Sequence, residues 1–245
     1  MSITLPLQAR TPLPPSNNRL LGNLSQAELE RFVPALQPVV LKRDLVLHEA
    51  GGRIDYVYFP TCGAVSMVIE SGVGAVEVAS VGDEGLVGIA TLLQGDSMTT
   101  RAFVQAAGHA YRVKVPVFRA LLDECADARL VFSRYALALF EQVARSVACN
   151  RLHALEARCA RWLLEMHDRV EGDQIFLTQE SLSYMLGVHR PAVTLAAGLL
   201  HKAGYIEYSR GRITVIDRAG LEGAACSCYQ SVRDAYDSLL GSGAE

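Results

Sequence analysis

The sequence predicts an α+β protein in three parts: a β-rich N-terminal half, one long helix, and a C-terminal pair of short helices followed by a hairpin. Three observations carry this. Short β-branched and aromatic runs, punctuated by glycines, fill residues 39–117. No Gly or Pro interrupts residues 127–170. The stretch "LTQESLSYMLGVHRPAVTLAAGLLHKAGYI", from Leu177 to Ile206, reads as two amphipathic helices meeting at the single Gly187.

The bulk numbers agree with a globular chain. At 245 residues it is long enough for one or two domains, and 50% hydrophobic with 20% charged residues suits sizeable cores. No apolar run approaches the roughly 20 residues that span a bilayer, so no membrane partner is expected. The net charge of -3 gives no global sign of a polyanionic partner, although such a footprint is a local patch and not a total. The opening "MSITLPLQARTPLPPSNN" has no cationic start followed by a long apolar block, which predicts a cytoplasmic chain. Its Pro and Asn content predicts a flexible arm over 1–19.

The elements follow in order. Ser25 can cap a helix with Glu28 three residues on and Leu29 and Phe32 on its apolar side. "YVYF" at 56–59, "AVSMVI" at 64–69 and "AVEVASV" at 75–81 read as separate strands, with glycines at 51, 52, 63, 72, 74 and 82 between such runs. "AYRVKV" alternates, with Tyr111, Val113 and Val115 on one face and Arg112 and Lys114 on the other. Many short strands of this kind predict a sandwich or barrel. In the long helix, Leu130, Leu137 and Ala144 recur every seven residues, with Ser133, Phe140 and Val147 between them. That is an a/d seam, and Leu130, Leu137, Phe140, Ala144 and Val147 are the expected dimer contacts. A helix packed only on its own domain is the plainer alternative. A second periodicity begins in "LEARCARWLLEMHDRV" with Leu155, Cys159, Leu163 and Met166.

From Gly172 onward, Thr178 can cap a short helix burying Leu182, Met185 and Leu186. Gly187 suits a turn at positive φ. The next helix has Pro191 in its first turn, where a missing N–H costs little, and buries Val193, Ala197 and Leu200. "YIEYSRGRITVI" reads as a hairpin about "SRG", and Asp217 can cap a last helix carrying Leu221. Helix, sharp turn, helix and hairpin make a winged helix-turn-helix order, whose second helix enters the major groove of double-stranded DNA by its N-terminal residues. The candidate contacts are Gln179, His189, Arg190, Pro191, Ala192, Thr194 and Leu195. Arg190 leads, because Arg can donate twice to guanine O6 and N7. Lys202, Arg210 and Arg212 would neutralise phosphates. A helical pair that merely packs, with solvated arginines, is the competing account.

With these motifs in place, the sequence resembles the CRP/FNR family of bacterial transcription regulators, over about Leu20 to Leu221. "VLHEAGGRIDYVYFPTCGAVSMVI" looks like that family's early β-roll, "VGDEGLVGIATLLQGDSMTTRAFVQA" like its ligand-pocket segment, and "LTQESLSYMLGVHRPAVTLAAGLLHKAGYI" like its DNA-binding motif. The resemblance implies an N-terminal β-roll (jelly-roll-like) sensor domain over 20–126, a dimerisation helix over 127–152, and a winged helix-turn-helix domain with a C-terminal helix over 153–245. It also implies a homodimer that binds a pseudo-palindromic operator and RNA polymerase as a partner.

The departures concern the effector. Cyclic-AMP-binding members place a Glu after the pocket glycine to hold the ribose, and an Arg-Ser pair to hold the cyclic phosphate. Here Ile89 follows Gly88, and Thr100 and Arg101 fill the Arg-Ser positions, with Thr99 beside them. One residue of offset along a strand turns a side chain to the other face, so Arg101 is expected to miss the phosphate. Gating by cyclic AMP is therefore not expected, and no cofactor is assigned. No cysteine precedes Cys62, which removes the N-terminal iron–sulfur ligands of the oxygen-sensing members, and a haem would rest on His48 or Cys62 alone. In the recognition helix the best-known members carry Arg-Glu and a second Arg, where this chain has Arg190, Pro191 and Leu195, so the operator should differ.

Two further expectations complete the reading. No nucleophile–base constellation appears, so no catalytic residue is expected and the chain is not read as an enzyme. The six cysteines are Cys62, Cys125, Cys149, Cys159, Cys226 and Cys228. Only Cys226 and Cys228 are close, their spacing is not the usual zinc or redox one, and no second pair is evident. Reduced thiols, buried or incidental, and no metal are expected, with metal binding or redox sensing as the alternative. A β-roll module acting through protein contact, or a regulator gated by another small ligand, are the alternative functions.

Overall fold

The computed structural model describes residues 13–72 and 74–241. Of the expected arm, residues 1–12 lie outside the described residues. The remainder is not loose. Asn18 is fully buried; its side chain donates to the carbonyls of Pro60 and Gly85, both at 2.8 Å, and accepts from the Leu20 and Leu21 N–H groups of helix α1, Arg19–Gly22. A buried amide with all these partners anchors the chain. Asn18 and Arg19 therefore do not belong to a flexible arm, a correction that Pro and Asn content could not show. Helix α2, Gln26–Phe32, follows with Ser25 as its cap and Phe32 buried.

Five antiparallel strands form the first sheet: β1 (Gln37–Leu41), β2 (Val46–His48), β3 (Tyr56–Ser71), β4 (Gly74–Val81) and β5 (Arg101–Lys114). Their order is β1-β5-β3-β4, with β2 also paired to β5. The runs at 56–59 and 64–69 are not separate strands but one strand of 16 residues, β3. Its register shifts between Pro60 and Val65, beside Gly63 at φ 83°. A Cβ on Gly63 would meet the Ala106 carbonyl at 2.7 Å, so glycine lets the bulged strand bend over its neighbour. Gly63 thus bends the strand where the sequence pattern suggested a break.

Helix α3 (Val115–Glu124), which the sequence did not reveal, leads into α4 (Ala126–Leu152), 27 residues or about 40 Å long. Helix α5 (Leu155–His167) begins after a break at His153. The Gly- and Pro-free run of 127–170, which the sequence allows to be one continuous helix or two end to end, is two helices end to end. A second, three-stranded sheet contains β6 (Gln174–Phe176), β7 (Ile206–Ser209) and β8 (Arg212–Val215), in the order β6-β8-β7. Between β6 and β7 lie α6 (Gln179–Leu186) and α7 (Arg190–Lys202). Helices α8 (Arg218–Ala224) and α9 (Cys228–Leu240) end the chain.

Two cores result. The first fills the roll and is closed by α3, α4 and α9; Phe32, Phe59, Phe118 and Phe132 pack there ring against ring. Helix α9 returns from the C-terminal region to this core through Val232, Tyr236 and Leu240, and Tyr236 donates to Gln142 on α4 at 2.9 Å. The division at 153 therefore does not follow the cores, because the last helix belongs with the first. The second core holds Trp162, Leu163 and Met166 of α5 with α6, α7 and the small sheet. It also contains Ala64, Val68 and Phe103 of the roll, so the two halves pack against each other.

Candidate nucleic-acid interface

Helices α6 and α7 are set by local signals. The Thr178 side chain accepts from the Ser181 N–H at 3.0 Å, capping α6. Gly187 ends it at φ 64°, a left-handed conformation that costs a residue with a Cβ about 1–2 kcal/mol. The Cβ that Gly187 lacks would also come within 3.1 Å of the Val76 side chain, because α6 lies against β4. Pro191 sits in the first turn of α7, and Val193, Ala196, Ala197 and Leu200 are buried along its inward stripe.

The outward face of α7 is open. His189, Arg190, Pro191, Thr194 and Leu195 are exposed, Leu195 at 73%, while Ala192 and Gln179 are half-buried. The Thr194 hydroxyl donates to the Gln179 side chain at 2.9 Å, which links the first turn of α6 to the exposed face of α7. Lys202 is exposed at the far end of α7. Between β7 and β8 the hairpin turns at Arg210, φ 46°, and Gly211, φ 78°. Arg210 and Arg212 are both exposed there, and Arg212 stacks over the Phe176 ring at 5.4 Å. Strand β6 and Phe176 had no sequence signal beyond a short polar-flanked run, and they brace the hairpin that presents these arginines.

The winged helix is held against the roll by polar contacts as well. The Tyr184 hydroxyl of α6 donates to the Glu70 carboxylate of β3. Arg169 and Glu84 form a buried ion pair at 2.7 Å. Glu77 of β4 is buried and accepts from the Ser66 hydroxyl and, at 2.9 Å, from the Trp162 indole of α5. Its pKa is pushed up to about 7, chiefly by burial; the Ser66 bond and the Arg161 charge oppose this, and the Glu165 charge adds to it.

Between α6, the start of α7 and the outer face of the roll lies a cleft of about 1060 Å³. Arg43, Arg101, Arg158, His189 and Arg190 are among the residues around it. Arg101 pairs there with Glu49 at 3.1 Å and Glu70 at 3.9 Å, and stacks on Phe103 at 5.2 Å. The neighbouring Thr100 is buried and Thr99 exposed. Gly88, at φ 103°, starts the 3₁₀ turn that buries Ile89. Of the five pocket candidates, Ile89 and Thr100 are buried, while Thr99 is exposed and Arg101 is partly exposed.

Along α4, Leu130, Leu137, Phe140, Ala144 and Val147 are all exposed, with Phe140 and Val147 each at 68%. They share a face opposite to buried Phe132, Tyr135 and Leu139. The cysteines, by contrast, are not scattered. Cys149, at the end of α4, and His153, its C-cap, stand with Cys226 and Cys228 so that four ligand atoms lie within 4.8 Å of one another. Two of these residues come from more than seventy positions upstream, which is why no second pair was visible beside "ACSCYQ". The i,i+4 spacing of Cys149 and His153 on one helix face was the available signal. Cys149, Cys226 and Cys228 are buried thiols, and what the chain spacing did not show is that they converge.

This assembly defines a β-roll and winged helix-turn-helix protein, the architecture of CRP/FNR-type transcription regulators. Residues 157–224 match the Crp-like helix-turn-helix domain. No curated protein matches the chain. Among solved structures, a regulator of the Crp/Fnr family from Eubacterium rectale shares the fold at a TM-score of 0.66 and 17% identity, over 84% of this chain and 96% of that one. FixK2 from Bradyrhizobium japonicum superposes at 0.65 with 17% identity, over 78% and 98%. The c-di-GMP responsive regulator CLP of Xanthomonas campestris superposes at 0.61 with 13% identity, over 78% and 99%. The chain thus shares the fold of these regulators, and its residues 157–224 resemble a Crp-like helix-turn-helix domain.

Proposed function

We propose that the chain is a homodimeric, sequence-specific DNA-binding transcription regulator that reads a pseudo-palindromic operator and is not gated by cyclic AMP. One observation carries this reading. The open N-terminal face of α7, with Arg190, stands on the same domain as a hairpin that ends in two exposed arginines, Arg210 and Arg212. A helix presenting one forked guanidinium to base edges and a wing presenting charge to phosphates is the division of labour that specific binding needs. The apolar stripe on α4 supports the dimer, because monomers do not usually expose Leu, Phe and Val in a row. Two copies joined there would offer two recognition helices to half-sites about one helical turn apart. RNA polymerase is the expected partner of a regulator bound in this way.

The ligand reading follows from Ile89 and Arg101. Ile89 offers no acceptor to a ribose, and Arg101 is engaged with Glu49, Glu70 and Phe103 on the outer face of the roll. Either another small molecule is the effector or abundance sets activity; that the Xanthomonas campestris protein responds to a different nucleotide favours the former. The test is selection of bound sequences from random duplexes, repeated with Arg190→Ala. The variant is expected to lose roughly 1–3 kcal/mol and to relax preference at one base pair per half-site. Equal losses on selected and random DNA would mean that Arg190 touches only phosphate, and no enriched palindrome would remove the proposal.

A further inference from the structure

We infer that Cys149, His153, Cys226 and Cys228 form a structural binding site for a single zinc ion, which ties the end of α4 to the start of α9. The inference rests on the chain's own side chains and is independent of what the winged helix binds.

The donor set comes first. Three thiols and one imidazole are the ligands of a closed, four-coordinate zinc site, with no position left for water. Soft sulfur donors select this ion over magnesium or calcium. The geometry agrees. The Cys149 and Cys226 sulfurs are 3.4 Å apart, and the Cys228 sulfur is 3.5 Å from His153 Nδ1. With zinc–sulfur bonds of about 2.3 Å, the edge of a tetrahedron is about 3.8 Å. The four atoms, all within 4.8 Å of one another, need shifts of no more than about an ångström to surround one ion. A polynuclear iron–sulfur cluster would spread its thiolates further apart.

The backbone holds the ligands in place. Cys149 and His153 are one helical turn apart. Cys226 and Cys228 flank Ser227 at the turn between α8 and α9, where the Cys226 N–H donates to the Ala157 carbonyl at 3.3 Å. All three cysteines are buried, and Ala157 packs against them. A disulfide between Cys149 and Cys226 would account for two of the four groups and leave the convergence of Cys228 and His153 without a cause.

Charge supplies a separate reason. Arg158 is 8% exposed and lines the same region, yet among the described residues it makes no ion pair with a carboxylate. Among the described residues its guanidinium donates to the Asn150 side chain and the Leu186 carbonyl. A buried, unpaired cation is costly. Binding of the ion by three thiols releases three protons to solvent and leaves one net negative charge on the centre. That charge is the missing counter-ion for Arg158. The site lies at the α4–α5 break, so the bound ion would fix how the winged helix is carried at the end of the dimerisation helix.

The test uses the full chain, purified without oxygen and without a metal-binding tag. Elemental analysis should find about one zinc per chain, and zinc-edge absorption should show three sulfurs at about 2.3 Å and one nitrogen at about 2.0 Å. Cys228→Ser should lose most of the zinc, while Cys62→Ser, on β3 and outside the cluster, should keep it. Should the Cys228 variant not fold, the absorption spectrum of the unaltered chain still decides. Three results would overturn the inference: a reduced chain that takes up neither zinc nor cobalt on reconstitution, a bound metal with a sulfur-poor shell, or iron and sulfide in place of zinc.

Discussion

Glu77→Gln should make the protein's stability less sensitive to pH between about 5 and 8. Glu77 is buried in the seam between the roll and α5, where it accepts from Ser66 and from the Trp162 indole. Burial raises its pKa from an ordinary 4.5 to about 7. Over the interval between these values the folded chain binds the proton and the unfolded chain does not, so the folded state loses stability as pH rises. The contribution is fully present below the unfolded value and gone above the folded one. For a shift of this size, linkage gives a loss of about 2.5 kcal/mol between pH 5 and pH 8. Glutamine keeps an acceptor for the indole but cannot ionise, so the variant should escape this loss. The measurement is urea unfolding at half-unit pH steps, comparing the two proteins so that other titrating groups cancel. The variant's advantage should grow as pH rises through 7. Parallel pH profiles would refute the reasoning and mean that Glu77 titrates alike in both states.

Phe140→Glu puts a carboxylate on the exposed stripe of α4 that includes Phe140 at 68% exposure. If two copies meet there, like charges face each other across a two-fold axis, and sedimentation should show monomers together with loss of operator binding. An unchanged dimer would place the interface elsewhere. Cyclic AMP at near-physiological concentration should leave operator affinity unchanged, since a ligand shifts an equilibrium only by its differential affinity for two states. Calorimetry showing micromolar binding coupled to tighter operator binding would overturn the reading of Ile89 and Arg101.

The sequence by itself determined whatever is encoded locally. Ser25, Thr178 and Asp217 each cap the helix they precede, because a side-chain oxygen two or three residues from an unpaired N–H needs no distant partner. Gly187 adopts positive φ, and Leu182, Met185, Val193 and Leu200 are buried, because amphipathic spacing chooses its own inner face. The open face of α7 is the complement of that stripe and was legible for the same reason. Tertiary structure decided what depends on distant neighbours. Asn18 is fixed by carbonyls at Pro60 and Gly85, beyond any local pattern. Gly63 bends one strand instead of ending it, since Ala106 on the partner strand sets the close approach. Helix α9 returns to α4 because Tyr236 finds Gln142 there. Cys149, His153, Cys226 and Cys228 meet only because that return brings the two ends of the C-terminal half together. A cluster of ligands is a property of distances in space, and spacing along a chain reports those distances only within one helix or one turn.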